Sequence, residues 1–408
     1  MRTGIANAPL HGGHCPPWLF DKMKKMGASI IKVIVMEYGT EEVLRRLSDP
    51  VWFQSFGTVL GFDWNSSGLT TVVCGALKEG LREEQGELGL FFAGGKGKAS
   101  RRTPSEIVEF GDKYSLSKDL NHLQQTSRTV AKVDSAAVQD NYQLYHHFFV
   151  FNQTGNWAVI QQGMNTKSRF ARRYHWLSEG LKDFTNNPHQ AVCGTRENGV
   201  LNLVSEQNQA TRLATVEICR ESPTEVKQVY HAIIDQYNNR KGPVSQQLDL
   251  FAQDDNDSHS VSSTGNYSSQ SYPAITMSFN HSIPSAGYLD KVLYTIYNEP
   301  PETYKQLLEL KGVGPSTLRA LTMVAEITHG AKPTFHDPVR YAFAHGGKDN
   351  YPFPVQKENV TKSLDVLKKA IEKGEMGEMD KLQSLRRLAK RGEQLGKGID
   401  ASLNSSGG

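Results

Sequence analysis

Between residues 243 and 289 the chain contains no Lys or Arg, carries acidic Asp254, Asp255 and Asp257, and is rich in Ser, Asn and Gln. Such a composition cannot bury enough apolar surface to offset its conformational entropy, so it reads as a flexible, acidic, Ser-rich tether. A chain of 408 residues interrupted in this way should hold two folded bodies. The expected order is a mixed helix and strand body over 1–242, a linker over 243–287, an all-helical body over 288–397 and a disordered tail over 398–408. This is an α+β class of fold.

Within the first body, residues 18–35 place Leu19, Met23, Met26, Ile30 and Ile31 at near-helical spacing. Trp52, Phe53, Phe56, Val59 and Leu60 mark a buried segment, and the run Thr70, Thr71, Val72, Val73, Cys74 is strand-like through its β-branched residues. Residues 142–151 alternate and are aromatic, 152–156 contain Asn and Gly, and 157–162 return as a partner strand, which together predict a β-hairpin.

The second body opens with two apolar helices meeting at Lys311, Gly312, Val313, Gly314 and Pro315. Glycine lets a backbone come close to a ligand, and proline suits the first position of a helix. The helix's free N–H groups and dipole then favour a phosphate. The stretch resembles the helix-hairpin-helix family of DNA-binding modules. That resemblance implies backbone contacts from Lys311, Gly312, Val313 and Gly314, with Ser316, Thr317 and Arg319 on the second helix. Contacts of this kind position a protein without reading bases. The alternative is an ordinary helical hairpin with a glycine cap.

Inside the tether, Gln247, Leu248, Asp249, Leu250 and Phe251 resemble the clamp-binding peptide of bacterial replication and repair proteins. The resemblance implies that the sliding clamp is a partner. Exposed Leu248, Leu250 and Phe251 in a polar linker otherwise have nothing to cover them. The alternative is a short helix packed on the first body.

The net charge of +3 does not by itself argue for nucleic acid, but the basic residues cluster. Lys96, Lys98, Arg101 and Arg102 form one group, Arg169, Arg172, Arg173 and His175 another, and Lys381, Arg386, Arg387, Lys390 and Arg391 a third. Arg172 and Arg173 are accordingly expected at DNA, although any one cluster also fits a solvated face. Cys15, Cys74, Cys193 and Cys219 are far apart, which argues against a zinc ribbon or a disulfide framework. No signal peptide or membrane span is apparent, so a cytoplasmic location is expected.

For chemistry, Asp134 and Asp140 precede the predicted hairpin that ends in Gln161 and Gln162. Metal-dependent nucleases need two or three carboxylates around Mg²⁺ or Mn²⁺ and a Lys or Gln beside the attacking water, and Lys96 could fill that role. Helix caps and solvated turns use aspartates at the same spacing. His146 and His147 must point to opposite faces of a strand. His11 and His14 lack partners at zinc spacing. The lysines in Gly94-Gly95-Lys96-Gly97 and Gly346-Gly347-Lys348 sit in glycine loops without the remaining elements of a Walker motif. In the second body, Phe335-His336-Asp337-Pro338-Val339-Arg340 resembles the string that carries the essential aspartate of helix-hairpin-helix glycosylases. The resemblance implies that Asp337 stabilises charge on the sugar as a flipped base leaves. Ser316 stands where bifunctional members place a lysine, and Pro338 departs from the pattern. The alternative is that Asp337 caps a helix beginning at Pro338.

The strings Leu10-His11-Gly12-Gly13, Leu60-Gly61-Phe62-Asp63-Trp64-Asn65-Ser66-Ser67-Gly68, Gly94-Gly95-Lys96-Gly97, Gln161-Gln162-Gly163-Met164 and Ala344-His345-Gly346-Gly347-Lys348-Asp349 together resemble the prokaryotic family known as domain of unknown function 763. That resemblance brings no activity. Three readings follow: a clamp-tethered, metal-dependent DNA nuclease, a glycosylase-like enzyme centred on Asp337, and a non-enzymatic clamp-associated DNA-binding scaffold.

Overall fold

The computed structural model of the protein describes residues 8–9, 15–62, 67–116, 120–240, 275–276, 286–339 and 357–405. The clamp-like peptide 247–251, nearly all of the tether, and the strings around His11 and His345 lie outside these residues. The chain divides into two compact units. Unit 1 joins Met1–Gln209 to Thr334–Gly408, and unit 2 is Ala210–Pro333.

In unit 1, helix α1 (Pro17–Tyr38) opens with proline in its first turn and ends at Gly39, whose φ of 85° stops further propagation. Met23, Met26, Ile30, Ile31 and Ile34 form its buried stripe. Helix α2 (Thr40–Ser48) leads to α3 (Pro50–Val59), which Asp49 caps by accepting hydrogen bonds from the N–H groups of Val51 and Trp52 at 2.8 and 3.3 Å. The next helix, α4 (Gly68–Gly80), corrects the strand expected at 70–74. Leu69, Thr70, Val73, Cys74, Ala76 and Leu77 recur at helical spacing and are all buried, so packing on α1 overrides the β-branched preference. The two helices come close at Gly80, where an added Cβ would lie 2.5 Å from the Lys24 carbonyl oxygen. Gly80→Ala is therefore expected to lower unfolding stability by about 1–3 kcal/mol through overpacking, as read by urea titration. An unchanged midpoint would show that the helices separate freely.

After α5 (Gln85–Leu88) comes an antiparallel sheet of β2 (Leu90–Lys96), β4 (Gln143–Asn152), β5 (Trp157–Asn165), β6 (Phe170–Leu177) and β7 (Ala191–Cys193), with β1 (Ala8–Pro9) pairing the start of β6. The expected hairpin is β4–β5, with Phe148 opposite Ile160 and Phe149 opposite Val159. Asn152 closes its turn by accepting from Asn156 N–H at 2.9 Å and Thr154 Oγ1 at 2.7 Å. The period-2 alternation gives the sheet two apolar faces. Leu90, Phe92, Phe148, Val150, Ala158 and Ile160 join the core formed with α1–α4. On the other face, the Phe91 and Phe151 rings meet Phe110 of α6 (Lys98–Tyr114). Helix α7 (Leu120–Lys132) follows, then a π-turn (Val133–Ala137), a two-stranded ladder of β3 (Val138–Gln139) with β8 (Leu201–Asn202), and a 3₁₀ turn (Glu206–Asn208).

Helices α13 (Lys357–Lys373) and α14 (Glu378–Ser405) correct the expected helical body over 288–397. Leu367, Ala370, Ile371 and Leu388 belong to the same core as α1, α3 and α4, so these helices complete unit 1. The expected tail at 398–408 is also revised, since α14 continues to Ser405.

Unit 2 is helical: α8 (Gln209–Ile218), α9 (Pro223–Arg240), α10 (Ala286–Asn298), α11 (Tyr304–Glu309) and α12 (Pro315–His329). Val226, Leu289, Leu293, Leu307, Leu308, Val313, Leu318 and Leu321 are buried in it. Thr303 and Gln306 form a capping box at the start of α11. Among the described residues, no helix is long and apolar enough to cross a membrane.

Candidate functional site

The residues singled out for chemistry fall into two buried networks of unit 1, and their partners differ from those expected. At the end of α7 the π-turn turns Asp134 inward until it is fully buried. Such widened turns interrupt the regular helical ladder and are frequent at functional sites. One Asp134 oxygen accepts from Gln161 Nε2 at 2.5 Å and Trp176 Nε1 at 2.9 Å, and the other accepts from His189 Nε2 at 2.5 Å. The Gln161 amide carries the network further. Its Oε1 faces His147 Nδ1 at 2.8 Å, and His147 Nε2 meets Ser127 Oγ at 2.8 Å. Burial pushes the His147 pKa down to about 4, so the ring is neutral, with its one N–H donated to Gln161 Oε1 and its other nitrogen accepting from Ser127 Oγ.

The second network is centred on Arg172 of β6, which is fully buried. Its Nη1 donates to Asp140 at 2.9 Å, while Nη2 donates to Asp337 at 2.7 Å and to the Thr195 carbonyl at 2.8 Å. Asp140 also accepts from Tyr174 Oη at 2.6 Å and Tyr142 N–H at 3.0 Å, and Asp337 accepts from the N–H groups of Glu197 and Val339 at 2.7 and 2.8 Å. The Arg172 guanidinium lies 4.5 Å from the centre of the Tyr142 ring. Burial works against its charge, but Asp140 and Asp337 outweigh it and hold its pKa above the usual arginine value. Burial raises the Asp140 pKa against the opposing pull of Arg172.

These contacts revise several expectations. Asp134 and Asp140 do not fit a metal pair, because both oxygens of each carboxylate already accept hydrogen bonds from protein donors. Among the described residues, no group of three or more His, Cys, Asp or Glu side chains is placed to hold a metal ion. Lys96 lies at the register position of His146, on the opposite sheet face from His147, Gln161 and Asp134. Arg172 is locked between carboxylates and Arg173 is buried against Gln54 (3.1 Å), Thr70 (3.4 Å) and the Phe53 ring, so neither presents a surface to DNA. Asp337 neither caps a helix nor stands open. It lies in an extended segment that bridges β8 at Phe335 and is tied by Asn208 to Thr334, 3.0 Å from Asn208 Nδ2 to the Thr334 carbonyl. Sequence reading therefore picked Asp140, Arg172 and Asp337 separately, and the fold joins them in one ion-paired cluster.

In unit 2, Lys311 and Gly312 are exposed at the hairpin turn and Ser316 and Arg319 are partly covered, whereas Val313 and Thr317 are buried. Thr317 Oγ1 donates to the Gly312 carbonyl at 3.3 Å, which makes it a brace of the turn.

Both networks of unit 1 reach one cavity of about 240 Å³, lined by His189, Asn202, Asp337, Val204 and Val339 together with Arg196 and Glu206. His189 and Asn202 were not singled out in the sequence. His189 lies 55 positions from Asp134, and no local pattern marks either residue. The loop that places His189 is set by Asn187 in the left-handed region at φ 46°, whose N–H donates to the Val204 carbonyl at 2.7 Å. Gln190 then donates to the His175 carbonyl as β7 begins. The contact of His189 Nε2 with Asp134 fixes the orientation of the ring in the cavity wall.

No curated protein and no solved structure matches the chain. The model of the family described as protein of unknown function DUF763 matches residues 4–355, most of the chain's length, and the chain therefore belongs to that family.

Proposed function

We propose that the protein binds DNA through a helix-hairpin-helix module in unit 2, as a cytoplasmic component of DNA repair or replication maintenance attached to the sliding clamp by residues 247–251. One observation carries this reading. The turn between α11 and α12 leaves nothing within 4 Å of where a Cβ on Gly314 would stand, and α12 begins there with no side-chain cap. The first-turn N–H groups have no acceptor within the helix and can face a phosphate oxygen. Gly312, at φ 89°, turns the chain, and exposed Lys311 adds a positive charge beside it. The nuclease and glycosylase readings receive no such support, because the carboxylates they need are engaged by protein donors. Of the three readings, the DNA-binding scaffold fits best.

Gly314 has extended backbone, φ −135° and ψ −174°, which any residue adopts. Gly314→Val should therefore fold normally while its side chain blocks a strand from the turn. Fluorescence anisotropy with a labelled duplex is expected to show binding weakened about tenfold, roughly 1.4 kcal/mol, with a smaller loss and a shallower salt slope for Lys311→Ala. Wild-type affinity in Gly314→Val, or no DNA binding by the wild type, would overturn the proposal.

A further inference from the structure

We infer that the exposed basic face at the start of α6 is a second DNA surface, on unit 1, which holds the phosphodiester backbone through Lys96, Lys98, Arg101, Arg102 and Arg128. That the polyanion is DNA rests on the hairpin reading of unit 2; that the face takes a polyanion does not. All five side chains are exposed, and no Asp or Glu occurs between residues 96 and 105. Lys96, Lys98, Arg101 and Arg128 have no ion pair among the described residues, and Arg102 has only the exposed Glu109, at 3.9 Å. The first carboxylate of α6, Glu106, is already committed: it accepts from Lys78 Nζ at 2.6 Å and from the Gly94 N–H at 2.7 Å. Helix stability does not account for the basic residues. Lys98, Arg101 and Arg102 are spaced three and four residues apart, where like charges repel, and they sit at the end of α6 where the helix dipole favours anions. A bound polyanion relieves both costs. The face is also held firmly. The Gly97 N–H donates to the Tyr145 carbonyl at 2.7 Å, and a Cβ on Gly94 would lie 2.2 Å from the His147 carbonyl oxygen, so the turn from β2 into α6 is seated against β4. Helix α7 extends the surface. Its Gln124 Nε2 donates to the Pro104 carbonyl at 3.3 Å, and Arg128 follows one turn later on the same face of α7. Among the described residues, no exposed large apolar side chain lies on α6 or α7, so the face lacks the anchors with which amphipathic helices enter a membrane. Backbone contacts of this kind position a protein on DNA without reading bases.

Fluorescence anisotropy of a labelled duplex with the full chain tests this, using Lys98→Gln, Arg101→Gln and Arg102→Gln together. Affinity is expected to fall at least tenfold at low salt, and the slope of log K against log salt to flatten by roughly 2.7, about 0.9 for each lost phosphate contact. The charge-conserving triple Lys98→Arg, Arg101→Lys and Arg102→Lys should bind as the wild type does. Thermal unfolding of the neutral triple should be unchanged or slightly raised, which separates weaker binding from loss of the fold. Acetylation of Lys96 and Lys98 in the wild type, read by mass spectrometry, should slow when duplex is present. Gly314→Val removes the hairpin contact and leaves these charges in place. If the hairpin reading alone fails, Gly314→Val binds normally while the neutral triple still loses affinity; if this inference alone fails, the pattern is reversed. Vesicles of phosphatidylserine and phosphatidylcholine probe a membrane as the polyanion instead. Wild-type affinity and salt slope in the neutral triple, unslowed acetylation with duplex bound, or tighter binding to the vesicles than to the duplex would each overturn the inference. So would an absence of duplex binding by the wild type.

Discussion

Replacing Arg172 with Leu is expected to lower unfolding stability by about 3–5 kcal/mol, the usual cost of removing one partner from a buried ion pair. The size of the effect follows from the two carboxylates that Arg172 separates. Asp140 and Asp337 would both stay buried, close to each other and without their cation. Folding would then have to bury two like charges or take up protons. Urea unfolding at pH 7 measures the loss. The double variant Arg172→Leu with Asp140→Asn should recover part of it, because an amide carries no charge to bury and can keep the Tyr142 N–H as a donor. A single-variant loss below about 1 kcal/mol would mean that water reaches the network and screens it.

Stability is also expected to fall steeply on mild acidification. Burial pushes the His146 pKa down to about 3 and that of His147 to about 4, and holds His175 well below the ordinary value. In the unfolded chain each titrates near 6.5. Between about pH 6.5 and 5 the unfolded state therefore binds protons that the folded state refuses. The stabilisation is fully present above pH 6.5 and is lost progressively below it, down to the folded-state values near 4 for His147 and 3 for His146, so the interval from 6.5 to 5 samples only its first part. Each histidine contributes a slope of up to roughly 1.4 kcal/mol per pH unit, so three give up to about 4. His146 provides the internal control, since neither of its ring nitrogens has a hydrogen-bond partner among the described residues. His146→Leu should remove about a third of the slope without lowering stability at pH 7. Stability that stays flat from pH 7 to 5 would show that these rings take up protons in the folded state.

The parts of this molecule that were legible in the sequence are those governed by local periodicity. The β4–β5 hairpin shows because aromatic alternation and the Asn152–Asn156 turn both act within a few residues. Helix α1 shows because its apolar stripe matches one helical face. The run at 70–74 misleads because its β-branched residues favour a strand locally, and only the face of α1 against which they pack decides for helix. The site was harder still to foresee. Asp140, Arg172 and Asp337 attract notice as charged residues in an apolar context, but an aspartate in a metal site and an aspartate paired with arginine look alike in one dimension. His189 and Asn202 become visible only when the β3–β8 ladder and the segment 334–339 bring distant stretches to one cavity. The assignment of α13 and α14 to a C-terminal body failed for the same reason, because sequence adjacency suggested a partner that spatial packing did not supply.

That last feature bears on how the chain is made. Unit 1 consists of the first half of the protein and its final helices, with unit 2 encoded between them. A ribosome therefore releases unit 2 in full while α1 and α3 still lack the Leu367, Ala370, Ile371 and Leu388 cover of their core. Unit 2 can mature early, whereas unit 1 must wait as an unfinished apolar surface until Leu388 of α14 emerges, so the time taken to translate unit 2 and the residues that follow it adds to the nascent protein's exposure to chaperones and proteases.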